Sequence, residues 1–183
     1  MIDSSVARRV RLLGLDVDGV LTNNAVYLGL ADGERVEFKQ FDIRDGLGIH
    51  LARRAGLRVA WISGRVSQAT SLRAAELDVD DLVQEDAARK VPALADLLAR
   101  RGIGWDEVAF VGDDLADLPV LREVALPIAV ADAVGEAQSA AAYVTRSPGG
   151  AGAVREVVEV LLRTRGQWDD VLQSYLRERE DCA

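Results

Sequence analysis

The 183-residue sequence lacks most of what would tie it to a membrane, a nucleic acid or an oxidising compartment. Its one cysteine, Cys182, is second from the end, so no intrachain disulfide can form, which fits a reducing cytoplasm. No apolar run approaches the ~20 residues of a membrane helix, and the N-terminus has no signal-peptide core. Acidic side chains outnumber basic ones, 30 to 22, for a net charge of −8, whereas a nucleic-acid binder needs a basic footprint. The expectation is a cytoplasmic protein with neither membrane nor nucleic-acid partners. Lysine is scarcer still than the charge suggests: only Lys39 and Lys90 are lysines, and the other basic residues are arginines. Histidine occurs once, as His50 inside a helix-like segment.

What is present describes a globular chain. Hydrophobic residues make up 49% and charged residues 28%, enough for one domain over 1–183 with a substantial core. Apolar segments "VRLLGLD", "LRVAWISG", "DDLVQ", "EVAFVGDD" and "LPIAVAD" alternate with helix-like "GLGIHLARRAG", "SQATSLRAAEL", "KVPALADLLARRG" and "LPVLREVA". That alternation predicts an α/β fold built on a single doubly wound, mainly parallel sheet. The strands are apolar on nearly every residue, as burial on both faces requires. No repeat or linker interrupts the pattern.

Two segments depart from it. "AVYLGLADGERVEFKQF" places two strand-like arms around Asp32-Gly33, which predicts a protruding β-hairpin over about 24–42. Its apolar residues Val26, Leu28, Leu30, Val36, Phe38 and Phe41 are read as one face, which would be exposed unless something covers it. In the C-terminal tail, about 167–183, Trp168, Val171, Leu172, Tyr175 and Leu176 fall at helical spacing. Such a helix packs on its own domain or docks on a neighbour.

The chemistry lies in the acids. "LLGLDVDGVLT" ends an apolar run with Asp16 and Asp18 in front of a glycine. Asp is a poor strand residue and two adjacent carboxylates repel, so the pair reads either as a strand-ending turn or as a metal or phosphoryl site at a strand end. "FVGDDLADLP" repeats the arrangement with Asp113, Asp114 and Asp117. One acid would cap a helix; three in five residues exceed that need. Hard oxygen ligands from two strand ends suit Mg²⁺, with Asp16, Asp18, Asp113, Asp114 and Asp117 as candidates. "WISGR" would put Ser63 and the backbone N–H groups of Gly64 and Arg65 at a helix N-terminus, a phosphate cradle. Lys90 opens a helix, where its charge opposes the macrodipole.

In order, Asp-x-Asp-Gly-Val, Ser-Gly, Lys and Gly-Asp-Asp-x-x-Asp resemble the four motifs of haloacid dehalogenase superfamily phosphatases. The resemblance implies that Asp16 attacks phosphorus and Asp18 is the general acid/base. Ser63 and Lys90 would hold the transferring phosphoryl group, and the late acidic cluster would hold Mg²⁺, with Asp113 a ligand and Asp114 or Asp117 a ligand or its support. The second Asp favours phosphoester hydrolysis over dehalogenation or ion pumping. Between the motifs there is room only for the hairpin and single helices, so no cap domain is expected and the site would lie open.

"FDIRDGLGI", "ISGR", "VAFVGDDLADLPVL", "IAVADA" and "YVTRSPGGAGAVREV" further resemble the branch acting on 3-deoxy-D-manno-octulosonate 8-phosphate, from about Val10 to Gly166. Relatives of that branch take 9-phosphates of nine-carbon sialic-acid-like sugars. The resemblance implies a homotetramer in which hairpins gather centrally and each site is walled by a neighbour. Arg44, Arg65 and Arg155, with Arg146, lie in these segments and could read a sugar carboxylate. The segment "QEDAAR" before Lys90 lacks the glycine of close relatives, and the tail ending "RERED" is unfamiliar. A phospho-acceptor signalling domain also pairs Asp residues with a hydroxyl and a Lys, but Ser63 stands where its acceptor would be. A calcium loop starting at Asp16 would need Glu where Tyr27 stands.

Overall fold

The computed structural model describes residues 2–85 and 89–180; Cys182, the last residues of the tail and part of the segment before Lys90 fall outside them. Strand β1 (Leu12–Leu15) is buried at every residue. It is flanked by β4 (Arg58–Ser63) and β6 (Val108–Gly112), with β5 (Asp81–Gln84) beyond β4 and β7 (Leu126–Ala129) and β8 (Tyr143–Val144) beyond β6. Every pairing in this six-stranded sheet is parallel. The chain winds outward from β1 through β4 to β5, then returns to β6 on the other side of β1. A crevice therefore opens at the carboxyl ends of β1 and β6, where such sheets take their ligands.

Helices α1 (Ser4–Arg9), α2 (Ile43–Arg54), α7 (Ala153–Thr164) and α8 (Trp168–Glu180) pack together, and α4 (Lys90–Arg101), α5 (Leu118–Leu121) and α6 (Gly135–Ala140) form a second group. Leu13, Leu15, Trp61, Ile62, Phe110 and Val111 lie wholly buried within the core. The doubly wound sheet is thus as the alternation predicts, and no cap domain interrupts it among the described residues. The tail helix α8 packs on its own chain. Trp168 is buried under the guanidinium groups of Arg155 and Arg163, 5.5 and 4.8 Å from its ring, and Arg54 bonds Ser174 and Glu178. His50 is exposed on α2, edge-on to Tyr175.

The hairpin consists of β2 (Tyr27–Ala31) and β3 (Glu34–Phe38), joined by Asp32 and Gly33 at φ +53° and +83°, the positive φ pair of a two-residue turn. That turn fixes Ala31 opposite Glu34, and so Leu30 opposite Arg35, Leu28 opposite Glu37, Gly29 opposite Val36 and Tyr27 opposite Phe38. Opposed residues share a face. The single apolar face expected from the sequence is therefore not formed: Leu28 and Leu30 share a face with Glu37 and Arg35, whereas Val36 and Phe38 lie on the other. A two-residue turn reverses the odd–even parity between the arms, which the sequence reading overlooked. Helix α3 (Gln68–Glu76) lies against β3, and Phe41 at the hairpin base stacks on Trp61, centroids 6.2 Å apart.

Candidate active site

Strand β1 stops at Leu15, and Asp16 adds one more ladder bond by donating its N–H to Val111 O at 3.0 Å. Asp18 belongs to the turn that follows. Gly19 makes that turn at φ +95°, and a Cβ there would sit 2.0 Å from Asp113 Oδ2. The glycine after the paired acids makes room for a third acid arriving from β6.

Oxygens of Asp16, Asp113 and Asp117 lie within 4.8 Å of one another, and all three residues are buried. Lys90, the first residue of α4, places Nζ 2.6 Å from Asp16 Oδ1 and 2.6 Å from Asp117 Oδ1. This ion triad explains an ammonium at a helix start: its partners are carboxylates on other elements. Asp117 Oδ2 accepts the N–H groups of Asp113 (2.9 Å) and Asp114 (3.3 Å), so both its oxygens are committed to holding Lys90 and the loop after β6. Asp114 is exposed and accepts the N–H of Leu115 at 2.6 Å, a capping role.

Asp113 differs from both. Among the described residues its Oδ1 is buried with no hydrogen-bond partner, and Oδ2 accepts from Asn24 Nδ2 at 3.5 Å. Burial, then the charges of Asp16 and Asp117, raise Asp113 to about 8. Burial and the Asp117 charge raise Asp16 to about 6 against the pull of Lys90. For Lys90, burial alone would depress the ammonium, but Asp16 and Asp117 outweigh it and raise it. Crowded carboxylates that resist ionisation, one of them with an orphaned oxygen, fit a hard divalent cation such as Mg²⁺.

Asp18 stands apart from that cluster. Its Oδ1 lies 2.7 Å from Lys39 Nζ, and Oδ2 lies 3.9 Å from Arg65 Nη1. Arg65 in turn binds Glu37 Oε2 at 2.9 Å, while Glu37 Oε1 accepts the Ser67 hydroxyl at 2.6 Å. Ser63 ends β4, 1% exposed, with its hydroxyl donating to Arg65 O (3.0 Å) and accepting Arg65 N–H (3.2 Å). That bonded turn delays the next helix: α3 is capped by Ser67 and starts at Gln68, so Gly64 and Arg65 precede the helix N-terminus expected around them. Asp16, Asp18, Gly64, Arg65, Lys90 and Asp113 line one cleft of about 210 Å³ with Asn24, Asp114, Ala116 and Asp117.

Ser63, behind its bonded turn, does not line it, and neither do Arg44 and Arg155. Arg44 is held by Asp42, the cap of its own helix, and by Ala151 O; Arg155 pairs with Glu159 one turn along. Arg146 is exposed beside Glu156. The sequence reading missed Glu37, Lys39 and Asn24 as members of the site. The one available signal was lysine scarcity, since both lysines of the chain converge here.

The model of the haloacid dehalogenase-like hydrolases matches residues 63–157, from the Ser63 turn through the second acidic cluster. The 3-deoxy-D-manno-octulosonate 8-phosphate phosphatase KdsC of Escherichia coli (strain K12) is 45% identical over 164 residues, 90% of this chain and 85% of that protein. Among solved structures, the Moraxella catarrhalis enzyme of the same name, in complex with magnesium, phosphate and a KDO molecule, superposes at TM-score 0.86 and 32% identity, covering 94% of this chain and 97% of that one. A cobalt-bound phosphatase from Haemophilus influenzae gives 0.84 and 32%, covering 93% and 99%. With the strand-end acids and Lys90 in one cleft, and with likeness of this extent in both sequence and backbone, the chain belongs to the haloacid dehalogenase-like hydrolases.

Proposed function

We propose that this protein is a Mg²⁺-dependent phosphoric monoester hydrolase that removes the terminal phosphate of 3-deoxy-D-manno-octulosonate 8-phosphate. The observation that carries the chemistry is Lys90 bridging Asp16 and Asp117, whose carboxylate oxygens lie within 4.8 Å of that of Asp113. The substrate rests on relatives of that name at 45% identity. Asp16 and Asp113 would hold Mg²⁺, which when bound supplies positive charge against the carboxylates and the phosphoryl oxygens.

Asp16 is the nucleophile: its carboxylate attacks phosphorus, the bond from phosphorus to the sugar oxygen breaks, and Asp18 gives that oxygen a proton. Asp18 then takes a proton from the water that hydrolyses the aspartyl-phosphate. Lys90 keeps Asp16 in place and offsets negative charge gathering on the transferring group. Gly64 and Arg65, which line the cleft, cradle the phosphoryl oxygens, and Ser63, whose hydroxyl is bonded to the Arg65 backbone, holds that turn. Asp117 positions Lys90, and Asp114 caps the loop. Arg44 and Arg155 are left out of the proposed contacts because their partners hold them outside the cleft.

We further propose a cytoplasmic homotetramer. Among the described residues no helix is long and apolar enough to cross a membrane. The exposed Leu28, Leu30 and Phe38, 59, 78 and 63% accessible, support burial of the hairpin between copies. Phosphate release from a panel of eight- and nine-carbon ulosonic acid 8- and 9-phosphates, with and without Mg²⁺, tests the function. Preference for a 9-phosphate would move the substrate to a sialic-acid-like sugar, and equal turnover of neutral sugar phosphates would refute the acidic-sugar assignment.

A further inference from the structure

The buried ammonium of Lys39 has no part in the chemistry above. It leaves the end of β3, its side chain is wholly shielded, and it donates to Thr70 Oγ1 at 3.3 Å while forming ion pairs, without hydrogen-bond alignment, with Asp18 Oδ1 at 2.7 Å and Glu37 Oε1 at 3.9 Å. Thr70 is itself fully buried on α3. Lys39 is thus fixed from two elements before it touches Asp18, while Asp18 sits in a turn with few anchors of its own. Among the described residues its other oxygen, Oδ2, has only the Arg65 guanidinium, 3.9 Å away.

We propose that Lys39 is a positioning residue: it pins Oδ1 of Asp18 so that Oδ2 is the oxygen that exchanges protons with the leaving group and with water. A carboxylate free to turn would divide its time between productive and unproductive orientations, and proton transfer requires the donor oxygen within hydrogen-bond reach of its target. The hairpin is then part of the catalytic apparatus: it carries both Lys39 and Glu37, the second of which holds Arg65. This inference rests on the proposed phosphatase reading and deepens it.

The experiment separates leaving-group protonation from everything else. An alkyl sugar oxygen must be protonated as it departs, whereas p-nitrophenolate leaves without help. The ratio kcat/KM reports the steps through phosphoryl transfer to Asp16, so comparing the two substrates isolates the proton. In Lys39→Met, kcat/KM on the sugar phosphate should fall at least ~10-fold, part of the ~10²–10⁴-fold a placed acid contributes, while that on p-nitrophenyl phosphate should change less than ~3-fold. Added to Asp18→Asn, Lys39→Met should cause no further loss, because it acts through Asp18.

Equal losses on both substrates, no loss on either, or a further loss in the Asp18→Asn background would each overturn the proposal. Thr70→Val, which removes the second anchor of Lys39, gives the same substrate split in milder form and decides the matter if Lys39→Met does not fold. Should the wild type release phosphate from no sugar phosphate at all, it is the proposed function that fails.

Discussion

Gly19 and Asp113 stand so close that a single methyl group on the glycine would lie 2.0 Å from the carboxylate. Gly19 also sits at φ +95°, which an L side chain adopts only with strain of about 1–3 kcal/mol. Gly19→Ala should therefore weaken Mg²⁺ binding, by pushing Asp113 aside, and lower stability by that amount. Calorimetric Mg²⁺ titration and thermal melts check both; an Ala variant with native metal affinity would show that Asp113 is not held where its role requires.

Asp16→Asn should abolish Mg²⁺-dependent phosphate release with the fold intact. Asp18→Asn should be slowed at least ~10²-fold and accumulate phosphorylated enzyme if water activation becomes limiting. Intact-mass measurement after mixing with substrate detects the adduct. Near-normal turnover by Asp16→Asn would eliminate it as nucleophile.

Lys90→Met removes the cation from a buried triad and leaves Asp16 and Asp117 facing each other. Breaking a buried pair in this way costs about 3–5 kcal/mol, read as a lower urea midpoint in metal-free protein. Mg²⁺ should recover part of it, since a cation again sits among the carboxylates. A midpoint unchanged from wild type would show that the triad contributes nothing to folding.

The acids also set a pH dependence. In the metal-free protein Asp113 titrates near 8 and Asp16 near 6, both above the ordinary 3.8. Between about pH 4 and 8 the folded state therefore holds protons that the unfolded chain has released, and stability falls as pH rises through that window. Asp45, raised to about 6 by burial against the start of α7, adds to the same trend without involving metal. Mg²⁺ must displace the cluster protons, so its stabilising shift in Tm should be larger at pH 8.5 than at pH 6. Equal shifts at both values would contradict the raised carboxylates.

Hairpin substitutions test assembly. Leu28→Glu and Phe38→Glu alter opposite faces of the ribbon, and if it is buried between copies on both sides, each should dissociate the proposed tetramer in light scattering and depress activity together. A fully active wild-type monomer would refute the assembly.

The sheet and the acidic stations were legible because each is written locally: an apolar run, then acids and a glycine. Lys90 was legible for the same reason, standing against the polarity of its own helix. Lys39 and Glu37 were not, because their place depends on how the hairpin leans over α3, a contact between segments some thirty residues apart. Hairpin faces were misread because parity across a two-residue turn follows from pairing and not from spacing along one strand. Arg44 and Arg155 looked like substrate ligands by position, but nearby acids, Asp42 and Glu159, hold them elsewhere. Amphipathic α7 went unannounced within a stretch read only for its likeness to relatives.

Both lysines of the chain are hidden, with side chains 0 and 3% accessible, and both lie against carboxylates of the proposed active site. The protein's outer surface consequently offers no ammonium side chain to acylating agents, aldehydes or lysine-directed crosslinkers. Any lysine that such a reagent does modify reports an opening of the active site, so the rate of side-chain acylation, with and without Mg²⁺ and phosphate, serves as a clock for that motion without a label having to be engineered.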